Sequence, residues 1–284
     1  MTCSLIITVH QKAHYIHEFL NKVRRTDNFE LIIIDDGSTD GSHYILQKHA
    51  DIFCRTDDVW ETKANNVGLK HATGDHICIL QDDDLPTAQL WLTNSVKFMI
   101  QHDINILSGR GTCHSYSTST TTSKNYDKNN IKSEHLETTE EIFFSSSDKT
   151  ITRFNNYIIT KDNLFSPVFL TDVTIRSPFI IDRKSLNILE GFDETYAPLS
   201  YDDHDFCTRA GMAGLRIAAT RIPQINRFKN GSYWLWSSNS EKANMIKQVY
   251  SRNIKLFSEK HSEYFINKKN KVEYIGLIKN GAIL

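Results

Sequence analysis

Three consecutive aspartates, Asp82-Asp83-Asp84, follow the apolar run His76-Ile77-Cys78-Ile79-Leu80. Carboxylates about 4 Å apart repel by roughly 1 kcal/mol in water and by about 4 kcal/mol at an effective dielectric of about 20. The nearest Lys or Arg residues in the sequence are Lys70 and Lys97, so a cation from outside the chain should offset the cluster. Hard carboxylate oxygens suit Mg²⁺ or Mn²⁺, ions that also bind phosphate. The alternative is an acidic turn in which one Asp helps cap a helix beyond Pro86. That reading explains one carboxylate better than three.

Two further acidic groups bracket this one. Asp35-Asp36-Gly37-Ser38-Thr39-Asp40 is either a strand-to-helix turn, relaxed by Gly37 and capped by Ser38 or Thr39, or a place where a carboxylate accepts hydrogen bonds from a nucleobase or ribose. Tyr201-Asp202-Asp203-His204-Asp205-Phe206 follows Gly191-Phe192-Asp193-Glu194. Acids at a helix start are favoured by the helix dipole, and the same carboxylates are candidates for proton transfer.

These groups must be positioned by strands that end where they begin. Leu5-Ile6-Ile7-Thr8-Val9 and Leu31-Ile32-Ile33-Ile34 are short, continuous and rich in β-branched residues, as strands covered on both faces are. Ile16, Phe19, Leu20 and Val23 have helical spacing, and a helix is expected around Ile45 and Leu46. A short strand is expected near Asp51-Ile52-Phe53, a helix over residues 61–72, a strand over His76 to Leu80, and a helix marked by Leu92, Val96, Met99 and Ile100. Strands and helices alternating at this spacing imply an α/β, doubly wound, mainly parallel sheet. Ligands of such sheets lie at the carboxyl ends of the strands, where Thr8 and His10, Asp35 and Asp36, and Asp82 to Asp84 all fall.

Composition narrows the function classes. The 284 residues carry 33 basic and 34 acidic side chains, without the basic excess of a nucleic-acid binder. A hydrophobic content of 39% supports a core, and no apolar run reaches the length of a membrane-spanning helix. Five scattered cysteines without a C-x-x-C pair indicate neither a disulfide framework nor structural zinc. The expectation is a reduced, cytoplasmic, soluble protein. Eight of the nine residues from Ser115 to Ser123 are Ser or Thr, and residues 112–150 read as a polar, mobile insertion. Order is expected again at Val168 to Ile175, Phe179 to Ile181 and Ile217 to Thr220, and residues from Glu241 onward read as a helix with Ile246, Tyr250, Ile254 and Phe257 on one face.

Taken in order, five segments resemble the family-two glycosyltransferases of the GT-A fold. They are the Thr8 strand, Leu31 through Asp40, Lys63-Ala64-Asn65-Asn66-Val67-Gly68 leading to Ala72-Thr73-Gly74-Asp75-His76-Ile77, the acidic Leu80 to Asp84, and Gly191-Phe192-Asp193-Glu194 followed by Asp202-Asp203-His204-Asp205. The resemblance runs from Ser4 to about Leu215, with a gap over the Ser/Thr-rich stretch. It implies an enzyme that moves a sugar from a nucleoside diphosphate donor, a UDP-sugar in the first instance, to a hydroxyl of a glycan or lipid-linked acceptor, with inversion and assisted by Mn²⁺ or Mg²⁺. By similarity Thr8 and His10 line the base and ribose pocket, Asp36 accepts from the base, and Lys63 meets phosphate. Asp82 sits at the ribose, Asp83 holds the metal, and Asp203 is the general base. Gln81 stands where the family's D-x-D usually begins, and His10 stands where an aromatic residue is common.

The implied organisation is a nucleotide-sugar-binding half over 1–111, the insertion over 112–150, an acceptor and catalytic-base half over 151–223, and a lid with a C-terminal helical extension over 224–284. Arg227, Lys229, Gly231, Trp234 and Trp236 would form the lid, or else a surface loop with buried rings. The basic C-terminal helix either docks on an anionic membrane surface at the inner face or packs its apolar stripe on the parent domain. The rival functions are a metal-dependent nucleotidyltransferase, for which a phosphate-cradling glycine loop is missing after the first strand, and a non-catalytic sugar-nucleotide-binding module.

Overall fold

The apolar runs form adjacent strands of one sheet. In the computed structural model, which describes residues 2–109, 112–118, 136–143, 165–226, 240–265 and 272–282, β1 (Cys3–Val9) is flanked by β2 (Glu30–Asp36) and β4 (His76–Gln81), with β3 (Ile52–Thr56) outside β2. All of these pair in parallel, Thr8 lying opposite both Ile34 and Gln81. Helices α1 (Ile16–Arg24), α2 (Ser42–His49) and α3 (Trp60–His71) make the crossovers. β5 (Asp84–Pro86) and α4 (Trp91–Gln101) follow. The parallel register puts the carboxyl ends of β1, β2 and β4 on one edge, which carries the acidic groups.

The other half of the sheet is mixed. β6 (Ile106–Ser108), β9 (Phe165–Leu170), β11 (Phe179–Asp182), β12 (Ile217–Thr220) and β14 (Glu273–Lys279) complete nine strands in the order β14-β9-β12-β6-β11-β4-β1-β2-β3. β11 is antiparallel to both β4 and β6, so its amino end returns to the acidic edge. The expected α/β class holds, with the parallel arrangement confined largely to the first half. Strands β7 (Thr112–Thr118), β8 (Leu136–Phe143) and β10 (Val173–Thr174) form a separate three-stranded sheet. Two stretches of the expected mobile insertion are therefore paired strand, and its remainder lies outside the described residues. β13 (Gln224–Asn226) pairs with β5, Asn226 opposite Asp84. The expected lid residues Arg227 to Trp236 lie outside the described residues.

Alternation along β1 builds two cores. Leu5, Ile7 and Val9 face α1, α2 and α4, where Phe19, Leu46 and Trp91 are buried, while Ile6 joins the opposite cluster with Ala64 of α3. α3 lies so close to β1 that a Cβ on Gly68 would overlap the Ile6 side chain. Ile100, expected on the buried face of α4, is 60% exposed. On the second face lie α5 (Arg183–Leu189), α6 (Asp202–Met212) and α7 (Glu241–Phe265). In α7, Ala243, Ile246, Phe257 and Phe265 are buried, whereas Tyr250 and Ile254 are only half-buried. That stripe packs in part on the domain. Among the described residues no helix is long and apolar enough to cross a membrane.

A buried charge cluster joins α6 to α7. Asp205, with no exposure, accepts from Arg209 Nε at 2.7 Å, Lys260 Nζ at 2.7 Å and His261 Nε2 at 2.8 Å. Burial disfavours its charge, but hydrogen bonds from His261, Lys260 and Arg209 hold it well below the usual carboxylate range. A folded pKa below the unfolded value of about 3.9 stabilises the fold above that pH, and the contribution is lost as pH falls further. The thermal unfolding midpoint is therefore expected to drop on acidification below about pH 4. Asp205→Asn should lower stability at neutral pH by about 1–3 kcal/mol, because it removes the charged acceptor that three donors share, and should flatten the acid slope; calorimetry across pH checks both.

Candidate functional site

The edge is assembled outward from β1. Thr8 Oγ1 donates to Asn65 Oδ1 at 3.0 Å, which ties the end of β1 to α3. His10 Nδ1 lies 2.6 Å from the Asp36 carbonyl and 3.9 Å from Asp58 Oδ1. Gly37 has φ +69°, and a Cβ there would fall 2.8 Å from the Asp58 backbone nitrogen. The turn after β2 needs glycine on both counts.

Asp36 behaves differently from its expected role. One carboxylate oxygen accepts from Thr56 Oγ1 (2.7 Å) and Val59 N (2.8 Å), the other from Trp60 N (2.8 Å), and the residue is 3% exposed. Three donors of its own chain occupy the side chain expected to receive a nucleobase. Those bonds hold the loop between β3 and α3 against the site.

Lys63 also departs from expectation. It stands exposed in the first turn of α3, roughly 160° around the helix from Glu61, the α3 residue that faces the acids. The cation beside the aspartates is Lys12, buried in the loop after β1, with Nζ 3.5 Å from Asp82 Oδ1. Tyr15 hydroxyl donates to the Asp82 carbonyl at 2.7 Å. Burial pushes the Asp82 carboxyl up to about 7; Lys12 opposes the rise, while Asp83 and Glu61 add to it. Asp83 is 8% exposed and Asp84 is fully buried at the β5–β13 ladder.

Among the described residues no group of three or more His, Cys, Asp or Glu side chains is arranged to hold a metal unaided. The donor chemistry nevertheless fits a hard divalent ion. Mg²⁺ and Mn²⁺ sites commonly take one or two protein carboxylates and complete their shell with phosphate oxygens and water. Asp82 and Asp83, crowded and burdened by mutual repulsion, supply carboxylates of that kind.

From the acidic turn a continuous chain of contacts leads to the second half. Gln81 Nε2 donates to Glu61 Oε1 at 2.9 Å, and Gln81 N donates to Ser177 Oγ at 2.8 Å. Glu61 Oε2 lies 3.6 Å from Arg176 Nη2, which also bonds Asp202 Oδ1 at 2.9 Å. The Arg176 backbone N–H donates to Asp203 Oδ2 at 3.3 Å. Thr62 Oγ1 donates to the second Asp202 oxygen at 2.7 Å. Asn66 completes the seam, donating to the carbonyl of Phe192 at 2.9 Å and accepting from its N–H at 2.8 Å. The structure thus brings the Asp82 turn and Asp203 to the same edge through Gln81, Glu61 and Arg176.

The two neighbouring acids of α6 are driven apart electrostatically. Burial raises Asp202, with Arg176 opposing and Asp203 reinforcing the shift. Burial also disfavours charge on Asp203, but the His204 hydrogen bond and the Arg176 cation hold it well below the usual range. The His204 backbone and ring nitrogens both lie 2.9 Å from Asp203 Oδ1. Asp203 is consequently ionised at neutral pH, the state in which a carboxylate can accept a proton.

Lys12, Asn65, Asn66, Glu61 and Arg176 were not singled out by sequence reasoning. Asn65 and Asn66 lay within a recognised segment, but each serves a different strand or loop. Lys12 is seventy residues from the acids it meets, and Arg176 and Glu61 carried no local signal.

The residues 4–159 match the model of glycosyl transferase family 2. The chain belongs to this family. Over 114 residues it is 32% identical to an uncharacterized glycosyltransferase of Haemophilus influenzae, covering 37% of this chain and 45% of that one. Over 117 residues it is 28% identical to the Staphylococcus aureus poly(ribitol-phosphate) beta-N-acetylglucosaminyltransferase TarS, covering 38% of this chain and 20% of that one. The match thus spans less than half the length of either relative. Its fold is similar to residues 1-349 of TarS in complex with UDP-GlcNAc (TM-score 0.50, 16% identity, 91% of this chain and 73% of that one). It is also similar to GalNAc-T7 with UDP, GalNAc and Mn²⁺ (TM-score 0.58, 14% identity, 93% and 49%). Arg176, Asp203 and α7 of this family member lie beyond the stretch the family model matches.

The Arg176 bridge makes a stability prediction. Arg176→Met should leave Asp202 and Glu61 without their shared cation and lower the unfolding free energy by about 3–5 kcal/mol, as read by urea denaturation at neutral pH.

Proposed function

We propose that this family-two chain transfers a sugar from a nucleoside diphosphate donor, a UDP-sugar in the first instance, to a hydroxyl of a glycan or lipid-linked acceptor, with inversion at the anomeric carbon. The observation that carries the reading is the link from Gln81 through Glu61 and Arg176 to Asp202 and Asp203, which joins the acidic turn to the candidate base. The family match supports the reaction class. The fold neighbours bound to UDP-GlcNAc, or to UDP with Mn²⁺, support a sugar nucleotide as donor.

In this reading Thr8 and His10 line the base and ribose pocket, within the loop that Asp36 holds in place. Asp83, with Asp82 beside it, would hold Mn²⁺ or Mg²⁺. The ion supplies electrostatic stabilisation of the charge left on the departing diphosphate. Lys12 places a fixed positive charge at the same turn. Asp203 takes the proton of the acceptor hydroxyl as its oxygen attacks the anomeric carbon. The Arg176 N–H and His204 keep that carboxylate oriented and ionised. One base acting opposite the leaving group is the basis for expecting inversion.

Incubation with radiolabelled UDP- and GDP-sugars and Mn²⁺ separates this reading from its rivals. Metal-dependent release of the nucleoside diphosphate supports a transferase; binding without turnover supports a non-catalytic module; release of a sugar 1-phosphate, with the nucleoside monophosphate passed to the attacking group, supports a nucleotidyltransferase. Asp203→Asn should lower turnover by about 10²–10⁴-fold with donor affinity nearly unchanged, and near-normal turnover in this variant would remove Asp203 as base. Asp83→Ala should abolish the dependence of donor affinity on Mn²⁺, measured by calorimetry with UDP.

A further inference from the structure

Helix α7 presents a single stripe of side chains to the loop and helix that carry Asp203. Asn253, fully buried, uses one amide nitrogen toward three carbonyls: Tyr196 at 2.7 Å, Leu199 at 2.9 Å and Ser200 at 2.8 Å. Its amide oxygen accepts from Arg252 Nε at 2.9 Å, and Arg252 Nη2 donates to the carbonyls of Ala197 and Thr195. One turn later the Phe257 ring packs against Tyr201 (centroids 5.5 Å apart) and His204 (5.9 Å). A further turn brings Lys260 and His261 to Asp205. Residues 253, 257, 260 and 261 recur at helical spacing on one face.

The backbone they hold has no local reason for its shape. Ser200 and Tyr201 both adopt left-handed conformations, with φ of +72° and +65°, which residues with a Cβ adopt only where their surroundings impose it. Tyr201 is the residue before α6 and supplies no side-chain capping bond. Asp202 and Asp203 begin the helix directly after this turn, so its conformation sets where the Asp203 carboxylate points. Of the carbonyls gathered by Asn253, that of Ser200 belongs to the turn itself, and those of Tyr196 and Leu199 to the segment leading into it.

We propose that α7 is the strut that positions Asp203, and that Asn253 is the positioning residue through which it acts on the Ser200–Tyr201 turn. The proposal rests on Asp203 being the base. It assigns the stripe from Asn253 to His261 to the acceptor side of the reaction.

The isosteric change Asn253→Asp tests it, since it turns the donor facing the three carbonyls into an oxygen. Turnover is read as UDP release at saturating UDP-glucose, UDP-galactose or UDP-GlcNAc, whichever the unaltered protein consumes. Donor-side integrity is read as the affinity for UDP with Mn²⁺. Expected are a fall in turnover of about tenfold or more and a UDP affinity within about twofold of the parent, with faster amide exchange over residues 196–204 and unchanged exchange in β1 and β4. Arg252→Ala should show the same pattern at about threefold, while Lys255→Ala, on the exposed face of α7 at 76% exposure, should change nothing. Unchanged turnover in Asn253→Asp, or a parallel loss of UDP affinity, overturns the proposal. If Asn253→Asp does not fold, Arg252→Ala decides by the same criteria. If the parent consumes neither these donors nor the GDP-sugars, the transferase reading fails and amide exchange decides: protection unchanged over 196–204 overturns the strut, and protection lost there alone supports it.

Discussion

One buried guanidinium holds the two halves of the candidate site together. Arg176 is 4% exposed and is shared between Glu61 of α3 and Asp202 of α6, while its own N–H meets Asp203. A buried ion pair is not in itself strong evidence of stability, because removing charges from water is costly. Its value here is directional: Nη2 meets both Glu61 and Asp202 only when α3, α6 and the segment before β11 adopt one relative placement. The antiparallel return of β11 makes this possible, since it brings Arg176 to the carboxyl edge of the parallel strands. Were that strand parallel, its amino end would lie at the opposite edge.

The same economy of charge sorts the acids by task. Asp36 and Asp205 each accept from three donors of the protein and hold loops and helices in place. Asp82 and Asp83 are crowded, with Lys12 near Asp82, and burial works against the charge of Asp82. Asp203 is kept ionised by donors at its own helix start, whereas Asp202, one residue away, is raised and tied to Arg176. Carboxylates of equal intrinsic acidity thus come to differ in partners and in acidity through their neighbours alone.

The central strands and their edge were legible from local pattern. Apolar runs such as residues 31–34 and 76–80 can satisfy a β-ladder and two packed faces at once, and each stops where aspartates begin. The C-terminal helix was legible from its spacing, though its lysines looked like a solvated or membrane-facing surface; Lys260 is instead tied to Asp193 and Asp205. Asp36 and Lys63 show what a motif leaves open. A motif names the residue but not the loop that folds over it, and in a helix one step along the chain turns a side chain by about 100°.

By itself the sequence determined the α/β alternation, the edge on which acids gather and the family resemblance, because each depends on residues close together in the chain or on motifs in fixed order. Tertiary structure alone decided which cation meets Asp82, how Asp202 and Asp203 differ, and that α7 braces the turn before them. Those outcomes depend on burial and on contacts between residues tens to over a hundred positions apart, such as Thr62 with Asp202 and Lys12 with Asp82. Burial fixes how strongly a charge is felt, and no local pattern encodes it.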